Sequence, residues 1–483
     1  MKKRLLILLL TALLLSTSCG QAAVETSADT TAESTDTALE TAPEDTALQD
    51  DLPDTDLDGY NYRMMLHGND THIENTFAEE LTGNTISDAV FNKLTTVKDR
   101  FNCDITYTQA APDGLDPTQQ SIFAGDDAFD MVQGHDLSMM GGVLSNLFVN
   151  AYDVPHFDFS KPWWPAATVE SMTVAGQMYL MNNNISYRNI ADIRMMFFNK
   201  DLLTDNGIEY PYELVKDGKW TLDAMLAITE KGYVDLNGNG ERDLDDQYGF
   251  VHANSFYCWM EPFTVEPYKK DADGNLYYEF DLDRISTLVE KSYNLMFGVG
   301  GYFNKAENYA DTRLKTFAIG KTMFYYDKLE AAVLVYSDSD VQYGLLPMPK
   351  LDETQDDYYA GSTDRPIAIP VTAGSHLDTT GLVTEALNIE GYKQVFPAYY
   401  ETALKNRYAG EAEDAEMIDI AHENMIISFT YAFGDFKSAY NIMLEDLFKA
   451  GTPGTDVASW AARKESEQVA RVAELQAFFE KNK

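Results

Sequence analysis

The sequence predicts an α/β fold that is divided into two lobes. Short apolar segments typical of strands alternate with segments of helical periodicity. This alternation implies right-handed crossovers and a parallel sheet. About 420 residues follow residue 59, which is more than one hydrophobic core normally supports. No repeat with a period of about 20 to 50 residues is visible, so a solenoid is not expected.

The predicted elements place two strand ends of the first lobe beside a cleft. Strands are predicted at residues 62–68, 104–107 and 128–134 in the first lobe, and at residues 193–198, 321–327 and 343–350 in the second. Helices are predicted at residues 90–101, after Asn199, after the N-cap candidate Thr221, and over most of the chain from residue 379. Ligands of such sheets lie beyond the carboxyl ends of the strands, so residues 67–70 and 134–136 should lie at the mouth of the cleft.

The N-terminus has the parts of a secretory signal. A basic start precedes an apolar stretch at residues 5–15, and small residues precede Cys19. The apolar stretch of about 11 residues is too short to span a bilayer, which needs roughly 20. The sequence around Cys19 resembles a bacterial lipobox, with Ser16 where leucine is usual. We therefore predict that residues 1–19 are a lipoprotein signal peptide and that Cys19 is lipidated. The alternative is an ordinary signal with an incidental cysteine.

Residues 20–59 form a predicted linker. The segment consists mainly of Thr, Ala, Ser, Asp and Glu, and it contains no Lys, Arg or aromatic residue. Such a composition cannot bury enough apolar surface to offset the entropy lost on ordering, so we expect a disordered acidic linker. About 40 flexible residues reach roughly 35 Å, which suits a tether between a membrane anchor and a folded body.

The charge of the chain excludes some classes of partner. The net charge is −42, and no basic stripe is available to neutralise phosphates, so nucleic acid is not an expected partner. Strong acidity favours a soluble monomer and makes a neutral ligand more expected than an anionic one, although a local pocket can differ from the net charge. Cys103 and Cys258 could pair in a secreted protein. We favour two buried free thiols, because their segments should fall in different lobes.

An ordered series of short motifs resembles a known family. The motifs lie at residues 161–164, 197–201, 206–208, 218–223, 235–240, 246–249, 344–350, 380–387 and 397–400. In this order and spacing they are similar to the family 1 extracellular solute-binding proteins of carbohydrate ABC transporters, over roughly residues 60–430. The resemblance implies a two-lobed, periplasmic-binding-protein-like fold of type II, with a hinge between the lobes. It also implies a receptor that binds a sugar and passes it to ABC permease subunits without making or breaking a bond. The closest similarity is to lipid-anchored proteins on the extracellular face of the cell membrane of Gram-positive bacteria.

The resemblance implies a division of the chain between the lobes. Residues 60–165 and 362–425 would form the N-terminal lobe, and residues 166–361 together with a helical part at 426–483 would form the C-terminal lobe. Two segments near the expected cleft, residues 182–184 and 364–366, depart from the family pattern. The family's sugar is therefore not carried over.

Aromatic and polar residues near the predicted strand ends are the candidates for ligand binding. Pyranose rings have an apolar face that Trp and Tyr can cover, while carboxylates and amides bind the hydroxyl groups. Trp259 is the preferred stacking residue, and at most one of Trp163 and Trp164 should face the cleft. Most of the aromatic residues should instead be core, and Trp220 is expected to be structural. The candidate ligand-binding residues are His135, Asp136, Trp163, Trp164, Tyr187, Trp259, Tyr325, Asp327 and Arg365.

Residues 235–246 match an EF-hand-like calcium loop. Side-chain oxygens fall at loop positions 1, 3, 5, 9 and 12, a glycine occupies position 6, and a backbone carbonyl would serve at position 7. The alternative is an Asn-Gly-rich turn whose acids face water. We predict a structural Ca²⁺ ion. Its candidate ligands are Asp235, Asn237, Asn239, the carbonyl of Glu241, Asp243 and Asp246.

Two other classes of protein remain open. A secreted glycoside hydrolase would need two carboxylates about 5 to 9.5 Å apart beside the sugar, and a calcium-dependent surface adhesin would lose its avidity with a chelator. The sequence has neither a His-Glu-x-x-His motif nor a Gly-x-Ser-x-Gly motif. The ordered motif series favours the receptor over both.

Overall fold

The computed structural model describes residues 50–483 except for residues 111–115, 254–255, 257, 307, 363–364, 406–411, 434–442 and 450–453. The predicted signal peptide, Cys19 and the linker up to residue 49 lie outside the described residues. Residues 50–59, which we predicted to be part of the disordered linker, instead lie against the folded body, because Leu52 and Leu57 pack on the core of the first sheet. Residues Ala47–Lys483 form one unit by their internal contacts.

The strands fall into two larger sheets and two short pairs. They are β1 (Tyr60–His67), β2 (Cys103–Ala110), β3 (Met131–Gln133), β4 (Arg194–Asn199), β5 (Tyr248–Ala253), β6 (Tyr268–Lys270), β7 (Leu276–Tyr278), β8 (Gly301–Asn304), β9 (Thr322–Lys328), β10 (Tyr343–Leu346), β11 (Ala360–Gly361), β12 (Ile367–Ala368) and β13 (Met425–Ile426).

The first sheet has the strand order β12-β3-β1-β2. Strand β1 runs parallel to β2, from Tyr60 opposite Cys103 to His67 opposite Ala110, and parallel to β3. Strand β12 returns much later in the chain and is antiparallel to β3. The predicted parallel arrangement of the first three strands is therefore confirmed.

The second sheet has the order β10-β4-β9-β5-β8 and is mixed. Strand β5 is parallel to β8 and β9, whereas β4 is antiparallel to β9 and β10 is antiparallel to β4. Apolar and aromatic side chains cover both faces of this sheet. Phe324 packs with Trp220 on one face, and the next residue, Tyr325, belongs to the cluster on the other. Successive side chains of a strand point to opposite faces, which explains why four consecutive residues of β9, from Met323 to Tyr326, are apolar or aromatic.

The helices cover the sheets and fill the C-terminal part of the chain. They are α1 (Asp70–Glu74), α2 (Thr85–Phe101), α3 (Asp116–Ala124), α4 (Asp136–Leu144), α5 (Ala166–Met172), α6 (Arg188–Ala191), α7 (Lys200–Asp205), α8 (Tyr212–Lys216), α9 (Leu222–Thr229), α10 (Leu282–Phe297), α11 (Tyr309–Lys315), α12 (Glu330–Leu334), α13 (Leu377–Glu390), α14 (Phe396–Lys405), α15 (Ala412–Glu423), α16 (Phe429–Phe433), α17 (Met443–Lys449) and α18 (Val457–Lys481).

Two predicted helix starts are capped by a side chain, and the cap at Thr221 is the predicted one. The side chain of Asn199 accepts a hydrogen bond from the backbone N–H of Leu202, and that of Thr221 accepts one from Ala224. Each cap satisfies an N–H group that has no partner within its own helix. Trp220, which we expected to be structural, is fully buried, and its indole N–H donates to the carbonyl of Pro347.

Several segments connect the two sheets. An isolated bridge joins Met181 to Ile367, and β11 pairs with β13. The long helix α18, which the sequence assigned to the second lobe, packs on both cores. Trp460 near its start belongs to the core of the second sheet, whereas Leu475 and Phe479 near its end belong to the core of the first.

Two further findings bear on the sequence predictions. Cys103 and Cys258 are free thiols, as favoured, although only Cys258 is fully buried. Within the part of the chain that the structure describes, no helix is long and apolar enough to cross a membrane.

Candidate functional site

The carboxyl ends of the parallel strands carry polar side chains in both sheets. Strand β1 ends at His67, β3 is followed by His135, β8 ends at Asn304 and β9 ends at Lys328. Ligand sites of α/β sheets form at this end of the strands. The candidate site is therefore expected at these strand ends.

Beside the first sheet, the guanidinium group of Arg365 donates hydrogen bonds to two histidines and so favours the neutral form of each ring. Its Nη1 lies 2.6 Å from Nδ1 of His67, and its Nη2 lies 3.0 Å from Nδ1 of His72. A guanidinium group can only donate hydrogen bonds, so both Nδ1 atoms accept. Each imidazole is therefore neutral and carries its proton on Nε2. Burial and the nearby charge of Arg365 lower the pKa of His72 to about 4, which agrees with a neutral ring at pH 7.

In the second sheet, four charged side chains form a network around the start of β4 and the end of β9. Asp192 lies 2.7 Å from the ammonium of Lys328 and 2.9 Å from the guanidinium of Arg188, which also lies 2.8 Å from Glu330. Burial alone would raise the pKa of Asp192, but the charges of Lys328 and Arg188 hold it below its usual value. Asp192 is therefore ionised at pH 7, although its side chain is buried.

These two groups lie within electrostatic reach of each other. The charges of Arg188 and Lys328, together with that of Arg365, lower the pKa of His72, whereas the charge of Asp192 raises it. Charges on α6 and at the end of β9 thus contribute, together with Arg365, to the lowered pKa of His72. We call this set the polar cluster; its members are His67, His72, Arg188, Asp192, Lys328, Glu330 and Arg365.

Arg194 and Glu261 extend the polar cluster along the edge of the second sheet. The guanidinium carbon of Arg194 lies 5.6 Å from the centre of the Tyr326 ring, within the range of a cation–π contact. Glu261 lies in a short 3-10 helix after β5, and its Oε2 is buried with no hydrogen-bond partner among the described residues. Burial raises the pKa of Glu261 to about 8, and the charge of Arg194 only partly opposes this shift. The carboxyl group is therefore mostly protonated at pH 7.

Trp259 lies in a loop after β5, as expected, but its ring is in the core. The side chain is fully buried, its ring centre is 5.0 Å from that of His252 and 5.1 Å from that of Tyr326, and its indole N–H donates to the hydroxyl of Ser292 at 3.0 Å. Neighbouring rings cover it, so no face of the indole is free to stack on a sugar in this conformation. The structure thus differs from our expectation, because the loop turns the side chain inward.

Trp163 and Trp164 are also buried, and both bind the same carboxyl group. The indole N–H of Trp163 donates to Glu385 at 2.6 Å, and that of Trp164 donates to it at 3.1 Å. Neither ring faces solvent, whereas we expected that one of them could. Burial raises the pKa of Glu385 to about 8, although the two indole groups oppose the shift. The sequence did not single out Glu385, because its partners lie more than 200 positions away.

Tyr325 and Asp327 take part in internal packing at the end of β9. Tyr325 is buried 6.1 Å from the ring of Phe317. Asp327 accepts a hydrogen bond from the hydroxyl of Tyr336 at 2.9 Å and lies 3.2 Å from the guanidinium of Arg313. Burial raises the pKa of Asp327, and the charge of Arg313 lowers it in part. In the described conformation both candidates therefore contact protein groups.

The remaining candidates have different surroundings. His135 follows β3 and occupies the N-cap position of α4. Asp136 begins that helix, and its side chain lies outside the described part of the structure. The ring of Tyr187 lies 5.3 Å from that of Tyr399, and burial raises the pKa of Tyr187 to about 12. Of the predicted ligand-binding residues, Arg365 is the one that belongs to the polar cluster.

The side chains of the predicted calcium loop form hydrogen bonds within the loop. Asp235 accepts from the backbone N–H groups of residues 238 and 240 at 2.6 and 3.0 Å. The amide nitrogens of Asn237 and Asn239 donate to Asp243 at 3.1 and 2.9 Å, and the buried Asp246 accepts from the backbone N–H of residue 236 at 3.1 Å.

The loop has the right kinds of oxygen ligand for Ca²⁺. In the described conformation, however, the amide nitrogens, and not the amide oxygens, face Asp243. Among the described residues, no three His, Cys, Asp or Glu side chains come together in a way that could hold a metal ion. The oxygen atoms of this loop are therefore of the kind that binds calcium. In the described conformation, however, the side chains form hydrogen bonds with other groups of the same loop.

The chain has the two-lobed, periplasmic-binding-protein-like fold of type II. Solved structures with this fold include the GacH receptor of Streptomyces glaucescens, determined unliganded and with acarbose (TM-score 0.54, 11% identity, 85% of this chain and 99% of that chain). A family 1 extracellular solute-binding protein from Bifidobacterium longum subsp. infantis is similar with a TM-score of 0.54 and 13% identity, over 85% of this chain and 99% of that chain.

A third structure with this fold is an ABC substrate-binding protein from Listeria monocytogenes in complex with cycloalternan. It is similar with a TM-score of 0.52 and 12% identity, over 85% of this chain and 99% of that chain. No protein-family profile matches this chain, and no curated protein sequence matches it. The similarity of this chain to these three proteins is therefore a similarity of fold.

Proposed function

We propose that this protein is the solute-binding receptor of an ABC importer, which captures a carbohydrate between its lobes and delivers it to membrane permease subunits. The observation that carries the proposal is the polar cluster: Arg365 donates to His67 at the end of β1 in the first sheet, and Lys328 at the end of β9 in the second sheet pairs with Asp192. A ligand placed there would touch both lobes at once. The fold supports the same conclusion, since proteins with this fold have been solved with acarbose and with cycloalternan.

Capture would proceed by closure of the lobes around the ligand. The segments that pass between the sheets, near Met181 and Ile367 and at β11 and β13, are where the backbone would absorb the motion. Sugar hydroxyls would replace water at the polar cluster. A ligand that leaves a buried polar group unpaired loses about 1–3 kcal/mol, which gives the site its specificity. No bond is made or broken in this mechanism, so the protein is not an enzyme.

The membrane location belongs to the same proposal. Lipidation of Cys19 and a flexible acidic linker would tether the folded body to the extracellular face of the cell membrane, where the permease subunits lie. The net charge of −42 supports a soluble body that acts as a monomer. Mass spectrometry of the membrane-extracted protein would test the anchor by the mass of a diacylated or triacylated cysteine.

A structural Ca²⁺ ion in the loop at residues 235–246 remains part of the proposal. The ion would supply positive charge to a loop that is rich in carboxylates, and Asp235, Asp243 and Asp246 would hold it together with Asn237, Asn239 and the carbonyl of Glu241. The loop's own hydrogen bonds already bring these side chains into one turn. Calcium would therefore stabilise the loop without taking part in ligand binding.

A thermal-shift screen across mono- and oligosaccharides tests the receptor function. A ligand that binds only the folded chain stabilises it by about 2.7 kcal/mol at 100 times its Kd, so its melting temperature must rise. Arg365→Gln should reduce the shift, because Arg365 belongs to the polar cluster. Arg284→Gln is the matched control, since Arg284 pairs with Asp352 outside the cluster and its loss should leave the shift unchanged.

The rival function is glycoside hydrolysis, and the same samples distinguish it. Incubation of the purified protein with the glycan that raises the melting temperature should release no reducing ends. Steady release of reducing ends would show turnover and would refute the receptor proposal. A screen in which no saccharide shifts the melting temperature would also count against it.

A further inference from the structure

The carboxyl group of Glu261 is buried and incompletely hydrogen-bonded. The residue is 3% exposed, and its Oε2 has no hydrogen-bond partner among the described residues. Buried polar atoms of folded proteins are almost always hydrogen-bonded, and an unpaired one lowers stability. A molecule that supplies the missing hydrogen bond would therefore be held at this atom.

Glu261 lies where the chain passes between the two sheets. A Cβ atom on Gly361 of β11 would lie 2.7 Å from the Cβ of Cys258, so β11 packs directly against the loop that precedes Glu261. Five positions further on, Oε2 of Glu266 accepts a hydrogen bond from the backbone N–H of Thr430 at 3.1 Å. Thr430 lies on α16, which follows β13, and β13 pairs with β11. The two carboxyl groups thus lie beside the strands at which the lobes would move.

The surroundings of Glu261 keep its carboxyl group protonated at pH 7. Burial raises the pKa of Glu261 to about 8, and the charge of Glu266 adds to this shift. Burial also raises the pKa of Glu266, whose Oε1 has no hydrogen-bond partner among the described residues. Arg194 on β4 opposes the shift of the Glu261 pKa only in part, and Tyr326 on β9 lies within electrostatic reach of the same carboxyl group. Glu261 is therefore a neutral acid at the edge of the second sheet.

Given the receptor function proposed above, we propose that Glu261 binds a hydroxyl group of the saccharide as a neutral carboxylic acid, so that capture of the saccharide depends on one proton. A protonated carboxyl group has one O–H donor and can also accept, and a sugar hydroxyl likewise donates and accepts. The two groups can therefore satisfy each other without burying a charge. An ionised Glu261 would lack the donor and would be costly to bury beside Glu266.

The dependence of the affinity on pH tests this inference. The probes are the neutral trisaccharides maltotriose, cellotriose and xylotriose, and isothermal titration calorimetry measures their binding. If only the protonated form binds, the affinity should fall about tenfold between pH 7 and pH 9, because the protonated fraction of Glu261 falls from about 0.9 to about 0.1. At pH 9 binding should also take up about one proton, which titrations in buffers of different ionisation enthalpy measure.

Three variants assign the proton to Glu261. Glu261→Gln is neutral at every pH and still donates and accepts, so it should bind about as tightly as the parent at pH 7 and keep that affinity at pH 9. Glu261→Leu removes both hydrogen-bonding atoms and should weaken binding about tenfold or more at pH 7. Glu385→Gln is the matched control. The carboxyl group of Glu385 is also buried with a pKa of about 8, but it binds Trp163 and Trp164 in the core of the first sheet, so this variant should keep the parent's pH dependence.

The outcomes separate this inference from the receptor function. An affinity that is independent of pH, or that rises with pH, would overturn the inference and leave the receptor function in place. A Glu261→Gln protein that loses affinity at pH 9 as the parent does would also overturn it. If no neutral probe binds, the inference is wrong, and the thermal-shift screen decides the receptor function separately. If Glu261→Gln does not fold, the parent protein still decides the question, because binding without proton uptake at pH 9 contradicts the inference.

Discussion

The buried ammonium group of Lys93 should make the stability of the protein depend on pH. The side chain is fully buried on α2, and its Nζ donates to the carbonyl of Thr76 at 3.0 Å and to the carbonyl of Ile185. Burial lowers the pKa of Lys93 from 10.5 to about 7. The unfolded chain therefore binds more protons than the folded chain between pH 7 and pH 10.5, and the free energy of unfolding rises with pH over this window.

The size of the effect follows from the two pKa values. Between pH 7 and pH 9 the Lys93 contribution should add about 2 kcal/mol to the free energy of unfolding. Lys93→Met keeps the length and apolar volume of the side chain but cannot titrate, so this increment should disappear. Urea unfolding of both proteins at pH 7, 8 and 9 measures the difference. Lys231→Met, at an exposed position, is the control and should keep the parent's pH dependence.

A parent protein and a Lys93→Met protein with the same dependence on pH would refute this reasoning. That result would mean that the ammonium group stays charged in the folded state. The two carbonyls that Lys93 binds would then have to supply more stabilisation than its burial removes. Other groups that titrate between pH 7 and pH 9 contribute equally to both proteins, so the difference isolates Lys93.

Three further predictions follow from the buried groups and the loop. Trp259→Ala should lower the free energy of unfolding by about 3–5 kcal/mol, as truncation of a core aromatic residue does. Chemical denaturation measures this change. Tyr152→Ala, at an exposed position, is the control and should change the free energy of unfolding little. The pKa of Glu385 is raised from 4.5 to about 8, so its contribution to the free energy of unfolding should be full below pH 4.5 and lost as the pH rises to 8. In Glu385→Gln this loss should be absent, and melting curves recorded across this pH range measure the difference. Millimolar Ca²⁺ should raise the melting temperature and EDTA should reverse the rise, whereas Asp246→Ala should be insensitive to both.

Local patterns in the sequence predict the elements well. The cap of α9 at Thr221 and the run of β9 depend on residues within a few positions of each other, so spacing alone identifies them. The mixed character of the second sheet was not predicted, because the pairing of β4 with β10 depends on which distant strand lies beside it. Strand pairing over long distances is decided by tertiary packing and leaves little trace in the pattern of one strand.

The site was harder to predict than the fold. Arg365 was singled out because its segment departs from the family pattern, but its partner His67 lies 298 positions away. Trp259 was placed correctly in a loop after β5. The direction of a side chain in a loop does not follow from hydrophobic periodicity, so the burial of Trp259 in the core was not predicted.

Helix α18 restricts how the proposed receptor can open. The helix has 25 residues and is about 37 Å long, with Trp460 anchored in one core and Phe479 in the other. Because a helix resists bending and this one is packed at both ends, the halves of the protein cannot move apart freely while both ends stay packed. Release of the ligand would then require a small sliding movement along α18 or the loss of packing at one of its ends.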